Sequence, residues 1–316
     1  MIGHVRLKTP VMTASGTCGY GREYEPYLDM SQLGGFFTKS ITVKPRAGNA
    51  PQRIVETAGG MLNAIGLANV GLDEFIAVKA PMLKDLGPAV FVNVAGHSVE
   101  EYVEVCRRVD PLDVIAGVEL NVSCPNVADG LQFGTDPESL ERLVTAVRKV
   151  ICRGVLIVKL SPNVTDITQT ARAAINGGAD ALSLVNTFLG MAIDIHTQAP
   201  ILANQSGGLS GPAIKPLAIY LVNRVWREVA RDTKVPIIGL GGIRTWEDAA
   251  EFILAGATAV AVGTALYVDP STPIKIVDGL SAYLKKRELS SVSQLVGAIT
   301  SEGRPPATAM ADGGEW

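Results

Sequence analysis

The four residues Ser123-Cys124-Pro125-Asn126 are the part of this sequence best suited to chemistry. They directly follow the segment 117–122, which has the apolar composition of a buried strand. Cys124 stands between Asn121 and Asn126, and no basic residue close by in the sequence would keep its thiol permanently ionised. A thiol in this setting can accept a proton while the amides bind a planar polar substrate. The alternative is a structural cysteine that is buried where it caps the strand.

The composition limits the classes of protein to which this chain can belong. Of its 316 residues 47% are hydrophobic and 19% are charged, so a large core can form, and the net charge of −3 does not favour nucleic acid or an anionic membrane as a partner. No segment approaches the roughly 20 apolar residues that span a bilayer, and the N-terminus is too short and mixed for a secretion signal. The cysteines, at positions 18, 106, 124 and 152, form no CxxC pair. We therefore expect a cytoplasmic protein with reduced thiols and no iron–sulfur ligands of its own.

Eight short apolar segments alternate with helical patterns along the chain. Each segment is apolar on both faces, which is typical of a buried parallel strand. Eight such units predict an α/β fold of the (β/α)8 TIM-barrel type, with a doubly wound sheet as the alternative. We expect one domain over residues 1–316, with a frayed tail at 301–316. The predicted strands are Val11–Ser15, Phe36–Ser40, Val90–Val94, Val118–Val122, Leu156–Leu160, Ala181–Thr187, Pro236–Gly241 and Ala259–Thr264.

Capping residues mark the ends of three of the predicted helices. Pro137–Val150 follows a candidate N-cap at Asp136, Val164–Asn176 ends at a pair of glycines, and Thr245–Ala255 carries its own cap at Thr245.

Two long insertions interrupt the regular alternation. Lys44–Pro88 is rich in proline and glycine and predicts an elaborated loop with small extra strands over the top of the barrel. Leu189–Gly211 is a candidate lid.

Polar residues and glycines fall at the carboxyl ends of the predicted strands, where barrels of this type carry their active sites. Lys39 and Lys159 end otherwise apolar strands, which favours an anionic ligand, although such lysines can also extend along the surface to solvent. The glycine-rich ends of strands seven and eight predict a phosphate site, over which Ser206–Pro212 could close. No GxGxxG motif follows strand one. We interpret His4, His97 and His196 as solvent-facing or incidental.

The sequence resembles the class 1 dihydroorotate dehydrogenases, and specifically the catalytic subunit of the NAD-linked class 1B enzymes. Met61–Leu67, Met191–Ile195 and Gly207–Pro216 carry the likeness to class 1B. The membrane-bound class 2 enzymes are similar only in the barrel, have a serine at the position of Cys124, and carry an N-terminal extension that is not found here. The matching segments are Ala14–Gly16, Thr38–Ser40, Met61–Leu67, Glu119–Asn126, Val158–Asn163, Ser183–Thr187, Gly207–Pro216, Gly241–Ile243 and Val262–Ala265.

The resemblance implies that an FMN lies in the barrel mouth and that Cys124 is the general base in the oxidation of dihydroorotate to orotate. The implied FMN-binding residues are Ser15, Lys39, Ser40, Asn93, Asn121, Lys159, Val185, Gly211, Gly241, Gly242, Gly263 and Thr264. The implied substrate-binding residues are Lys39, Asn63, Ala64, Ile65, Gly66, Leu67, Asn121, Asn186 and Thr187.

The resemblance also implies partners. A second subunit with FAD and a 2Fe–2S cluster would pass electrons to NAD, in a heterotetramer of two copies of each subunit built on a homodimer core. Three alternatives stay open at this point: a fumarate-dependent class 1A enzyme, a flavoenzyme like dihydropyrimidine dehydrogenase, and a barrel without flavin that serves only as a scaffold.

Overall fold

The structure, a computed structural model, describes residues 1–123 and 133–300. The frayed tail predicted at 301–316 lies outside these residues. The strands are β1 (Val11–Thr13), β2 (Gly35–Phe37), β3 (Ile54–Thr57), β4 (Gly60–Asn63), β5 (Ala89–Val94), β6 (Gly117–Asn121), β7 (Val155–Lys159), β8 (Ala181–Leu184), β9 (Phe188–Gly190), β10 (Ile193–Asp194), β11 (Ala199–Pro200), β12 (Gly207–Ser210), β13 (Ile237–Leu240) and β14 (Ala259–Val262).

Helices follow most of the barrel strands. Two π-helical segments, Phe75–Lys79 and Trp226–Ala230, join α1 to α2 and α6 to α7. The α-helices are α1 (Leu72–Glu74), α2 (Ala80–Met82), α3 (Val99–Val109), α4 (Pro137–Arg148), α5 (Ile167–Asn176), α6 (Lys215–Val225), α7 (Arg231–Thr233), α8 (Trp246–Ala255) and α9 (Thr272–Lys286). Among the residues that the structure describes, no helix is both long and apolar enough to cross a membrane.

Eight of the strands close into a parallel barrel in the order β1-β2-β5-β6-β7-β8-β13-β14. The predicted (β/α)8 barrel is therefore confirmed. Most of the strands end one to three residues before the predicted ends, so that Lys39, Ser40 and Thr187 lie in loops. The apolar sequence pattern continues beyond these strands because the loops that follow them are also packed. Each strand itself ends where the chain stops pairing with the neighbouring strands and turns towards a helix.

The interior of the barrel changes from apolar to polar towards the mouth. Every second side chain along each strand points into the barrel. Met12, Phe37, Phe91 and Ile157 belong to an apolar layer of these inward side chains. The next inward positions on β5 and β6 are polar: Asn93 and Glu119, which lie opposite each other in the strand register. Asn121 and Lys159, which pair in the register of β6 and β7, follow nearer the mouth.

The two insertions build one additional sheet. β3, β4, β12 and β9 form an antiparallel sheet in that order, so the small extra strands predicted in Lys44–Pro88 are confirmed. The segment Leu189–Gly211, predicted as a lid, supplies β12 and most of β9, and its possible movement stays a prediction. Its surface exposes the apolar side chains Leu189, Met191, Ile193 and Ile195.

The predicted helix starts are confirmed where a cap defines them. The Asp136 side chain accepts a hydrogen bond from the Ser139 N–H, and Thr245 forms a capping box with Asp248. α5 begins at Ile167 rather than at Val164, because the Asp166 side chain caps it. α4 ends at Arg148, two residues before the predicted end.

Candidate active site

A cavity of about 870 Å³ opens at the carboxyl ends of the barrel strands, between the strand-end loops and the small antiparallel sheet. It collects predicted site residues that are widely separated in the chain. The predicted residues that line it are Ser15, Lys39, Ser40, Asn63, Ile65, Leu67, Asn121, Lys159, Val185, Asn186, Thr187, Gly211, Gly241, Gly242, Gly263 and Thr264.

Three predicted site residues in the described part of the chain do not line this wall. Ala64 and Gly66, in the segment predicted to bind substrate, do not line the cavity, and Asn93 is fully buried beneath it. The loop bends at Gly66 and Leu67, which both have positive φ, and a Cβ on Gly66 would lie 2.5 Å from Asn49 Oδ1. Gly66 is therefore required for the shape of the loop. Cys124 lies outside the described residues.

Lys159 is the most unusual side chain of the wall. It is the last residue of β7 and only 5% exposed, and within residues 1–123 and 133–300 its ammonium has no hydrogen-bond or ion-pair partner. The ammonium of Lys39, which is half-buried, also lacks a partner in this part of the chain. A buried charge without a partner is costly, so these two lysines fit a ligand that carries negative charge.

The asparagines of the wall are oriented by their neighbours. Asn121 Oδ1 accepts hydrogen bonds from Asn186 Nδ2 at 3.1 Å and from the Ser123 N–H at 3.4 Å, which leaves the Asn121 amide nitrogen to donate to a ligand. Asn63 is oriented in the opposite sense, because its nitrogen donates to the Gly208 carbonyl at 3.3 Å and its oxygen remains an acceptor. The cavity thus offers both a donor and an acceptor to a planar polar ligand.

The opposite wall is made of main chain. Gly211, Gly241 and Gly242 have φ of +97°, +129° and +81°, a region that side chains rarely allow. A Cβ on Gly242 would lie 2.8 Å from the Gly211 oxygen, and one on Gly211 would lie 2.7 Å from the Gly60 Cα. This close packing keeps side chains off this wall, so main-chain N–H groups can approach a phosphate there.

Asp248 braces the glycine-rich loop from behind. Its Oδ2 accepts the N–H groups of Arg244 at 2.8 Å and Thr245 at 3.1 Å, and its Oδ1 accepts from Lys215 Nζ at 2.6 Å. Burial of Asp248 raises its pKa, but Lys215 and the two N–H groups outweigh burial and hold the pKa below its ordinary value. The carboxylate thus stays ionised and fixes the loop that precedes α8.

The described cysteines do not lie on the cavity. Burial raises the pKa of the Cys18 thiol to about 12 and also raises that of Cys106, so both stay protonated near neutral pH. Cys152 is exposed, away from the cavity. In the described residues no thiol can therefore act as a base on a ligand here, and no group of His, Cys, Asp and Glu side chains could hold a metal ion.

The histidines were predicted to be solvent-facing or incidental, and two of the three are exposed. His4 and His196 are exposed, but His97 is half-buried and its Nε2 contacts the guanidinium of Arg46. Arg46 comes from the first insertion, and its approach to His97 depends on tertiary structure.

Sequence reasoning missed several residues of the wall. Ser210 accepts a hydrogen bond from Thr264 Oγ1 at 2.8 Å, and the Tyr267 hydroxyl donates to the Gly16 carbonyl at 3.3 Å. Arg244 lines the cavity directly after the two glycines. Ser210 lies within the segment Ser206–Pro212 predicted to close over the phosphate site, and Arg244 had a signal in the sequence as a cation next to a predicted phosphate loop.

Comparison with known proteins agrees with this geometry. The profile of the dihydroorotate dehydrogenase family matches residues 1–284. A protein named dihydroorotate dehydrogenase B (NAD(+)), catalytic subunit, from Geotalea uraniireducens is 52% identical over 94% of this chain and 96% of its own. Proteins of the same name from Trichlorobacter lovleyi and Geobacter sulfurreducens are 52% and 51% identical, also over 94% of this chain and over 97% and 96% of theirs. The chain belongs to the dihydroorotate dehydrogenase family.

Proposed function

We propose that this chain is an FMN-dependent catalytic subunit that oxidises dihydroorotate to orotate in pyrimidine biosynthesis. The observation that carries the proposal is Lys159, a residue only 5% exposed whose ammonium has no partner in the described residues, on a cavity whose other wall is a glycine-rich phosphate cradle. The relatives named above are NAD(+)-linked catalytic subunits, which favours this reaction over the fumarate-dependent alternative.

The cavity fits FMN in size and in chemistry. Its volume of about 870 Å³ lies in the range of ligand sites. The main-chain wall suits the phosphate, and Lys159 would stabilise the negative charge of a reduced flavin ring. The FMN-binding residues would be those predicted from the sequence, with Asn93 acting from beneath the wall.

The substrate would bind through side chains of both polarities. Dihydroorotate carries a carboxylate and ring amides, so it needs a cation together with donors and acceptors. Lys39 would bind the carboxylate, while the Asn121 amide nitrogen donates and the Asn63 oxygen accepts. Asn186 would act mainly by orienting Asn121.

Two groups would share the chemistry. FMN, when bound, would supply the acceptor for the hydride that leaves C6 of dihydroorotate. Cys124 would take the proton from C5, since a free thiol has a pKa of about 8.5 and can serve as a base at mildly alkaline pH.

We further propose an electron-transfer partner that carries FAD and a 2Fe–2S cluster, in a heterotetramer built on a homodimer of this chain. The term catalytic subunit in the names of the relatives favours a partner. The exposed apolar side chains of residues 189–195 offer a surface suited to contact with another protein. The free thiols of Cys18, Cys106 and Cys152 favour the cytoplasm as its location.

The test is dihydroorotate oxidation by the purified, FMN-loaded chain, with an artificial dye, NAD and fumarate as separate acceptors. We expect activity with the dye alone, and NAD reduction only after the partner subunit is added. Activity with fumarate would contradict the NAD-linked subclass. A protein that takes up no flavin would favour the scaffold alternative and refute the proposal.

The role of Cys124 can be tested separately. We expect kcat to rise with pH until this thiol ionises, and Cys124→Ser should change that profile. In a Cys152→Ser background, iodoacetamide should alkylate Cys124 and stop the reaction, because Cys18 and Cys106 are buried with raised pKa values. An unchanged pH profile in Cys124→Ser would exclude the thiol as the base.

A further inference from the structure

Glu119 is an acidic residue in the interior of the barrel with no role in the function proposed above. It lies in the middle of β6 and is only 1% exposed. Each of its oxygens receives a donor: Asn93 Nδ2 bonds Oε2 at 2.6 Å, and Ser183 Oγ bonds Oε1 at 2.7 Å. Glu119 therefore acts as an acceptor at both oxygens, and it makes no ion pair with any described residue.

The hydrogen bonds continue from Glu119 to the wall of the cavity. Asn93 must turn its amide nitrogen towards the carboxylate, so its oxygen faces the other way and accepts a hydrogen bond from Ser40 Oγ. The Ser40 hydroxyl thus uses its single proton in the hydrogen bond that it donates to Asn93. Ser40 lines the cavity, where its oxygen can only accept.

We infer that Glu119 is a positioning residue that sets the hydrogen-bond polarity of Ser40, making it an acceptor for a ring N–H of the bound ligand. Without an acceptor at position 119, the Asn93 amide could reverse and Ser40 could turn its proton into the cavity. The oxidised flavin ring has one N–H group, at N3, and dihydroorotate and orotate also carry ring N–H groups. The inference rests on the proposed function, because it requires that these ligands bind in this cavity.

The experiment measures binding rather than turnover, in two arms that separate the two sources of the N–H group. The first arm measures the Kd of FMN for the flavin-free protein by fluorescence quenching. The second measures the Kd of orotate for the FMN-loaded protein from the change in the flavin spectrum. The variants are Ser40→Ala, Glu119→Leu and Glu119→Gln.

Ser40→Ala should weaken binding about three- to tenfold in one arm, which identifies the ligand that donates to Ser40. Glu119→Leu should weaken the same arm at least as much, and the double variant should be no weaker than Glu119→Leu alone. Glu119→Gln should stay within about twofold of wild type, because its carbonyl still accepts from Asn93 while its NH₂ group faces Ser183. Ser183→Ala is the matched control, because Ser183 bonds the same carboxylate but is not part of the hydrogen-bond chain from Glu119 through Asn93 to Ser40.

A ligand analogue keeps the inference testable if Glu119→Leu does not fold. FMN methylated at N3 should bind wild type more weakly than FMN does, and Ser40→Ala should lose that preference if the flavin is the donor. Unchanged Kd values in both arms for Ser40→Ala, or additive effects of Ser40→Ala and Glu119→Leu, would overturn the inference. A wild-type protein that binds no FMN would instead refute the proposed function itself.

Discussion

The two walls of the cavity are built on different principles. The glycine wall, made of Gly211, Gly241, Gly242 and Gly263, offers main chain, and at Gly211, Gly241 and Gly242 the packing leaves no room for a side chain. The polar wall, made of Lys39, Asn121 and Lys159, offers charges and amides on side chains. We therefore expect the glycine wall to be sensitive to added atoms and the polar wall to be sensitive to lost charge.

The two walls also differ in how they are held. Asp248 and Lys215 brace the glycine wall from outside the barrel by an ion pair and main-chain hydrogen bonds. The polar wall rests on the interior residues Asn93 and Glu119, which are joined by a hydrogen bond. Both supports lie behind the residues that contact a ligand, so changes there should weaken binding without removing a contact group.

The largest effect should follow the loss of the buried charge. Lys159→Met should lower kcat/KM for dihydroorotate by about 100- to 1000-fold, the usual loss for a group that stabilises developing charge. The same change should raise the free energy of unfolding of the flavin-free protein, by on the order of 1 kcal/mol, because a buried charge without a described partner is removed. Steady-state kinetics and urea unfolding measure the two quantities.

Lys275→Met is the control for this change. Lys275 is an exposed lysine that pairs with Asp269 on the surface, so both quantities should stay near their wild-type values. Normal kcat/KM in Lys159→Met would show that the polar wall does not depend on this charge.

Next in size is the effect of one added methyl group on the glycine wall. Gly242→Ala should weaken FMN binding at least tenfold, because its Cβ would lie 2.8 Å from both the Gly211 oxygen and the Lys215 Cβ. Fluorescence titration of the flavin-free protein gives the Kd. Gly16→Ala separates crowding from backbone strain, since Gly16 has nearly the same φ, +82°, and its Cβ would meet nothing within 4 Å. Equal losses in the two variants would mean that the close contacts with Gly211 and Lys215 are not responsible.

A smaller effect should come from the support of the glycine wall. Asp248→Asn should lower the free energy of unfolding at pH 7 by about 1–2 kcal/mol, the usual contribution of a helix cap. The pKa of Asp248 is lowered in the folded protein, so its contribution is complete above the ordinary value of about 3.9 and is lost as the pH falls through the folded pKa. The difference between wild type and variant in urea unfolding should therefore narrow as the pH falls below about 3.9. A gap that stays constant from pH 7 to pH 3 would contradict this role of the carboxylate.

The smallest effect should be that of salt. Raising the ionic strength from about 0.05 M to about 0.5 M shortens the range of exposed charges several-fold but screens buried ones little. Orotate binding should weaken only about two- to threefold, through the half-buried Lys39. In Lys39→Met most of this salt dependence should vanish, as titrations of orotate into the FMN-loaded protein would show. A large salt effect that persists in Lys39→Met would mean that Lys159 is more open to solvent than the structure shows.

Local patterns in the sequence determined the barrel strands, several helix starts and many residues of the candidate site. The eight apolar segments predicted the barrel, because a strand buried on both faces is apolar at successive positions of its own sequence. Capping residues such as Asp136 and Thr245 predicted helix starts, since a cap bonds within its own turn. The lysines and glycines at the strand ends were found by the same local reading.

Only the tertiary structure decided which distant segments meet. The two insertions looked independent in the sequence, yet Asn63 donates to the carbonyl of Gly208, 145 residues away. Glu119 carried the same signal as Lys159, a charge within an apolar strand, but its partners Asn93 and Ser183 lie 26 and 64 residues away. Such contacts depend on the closure and register of the barrel, which no short stretch of sequence encodes, whereas strands, caps and turns follow from interactions among neighbours in the chain.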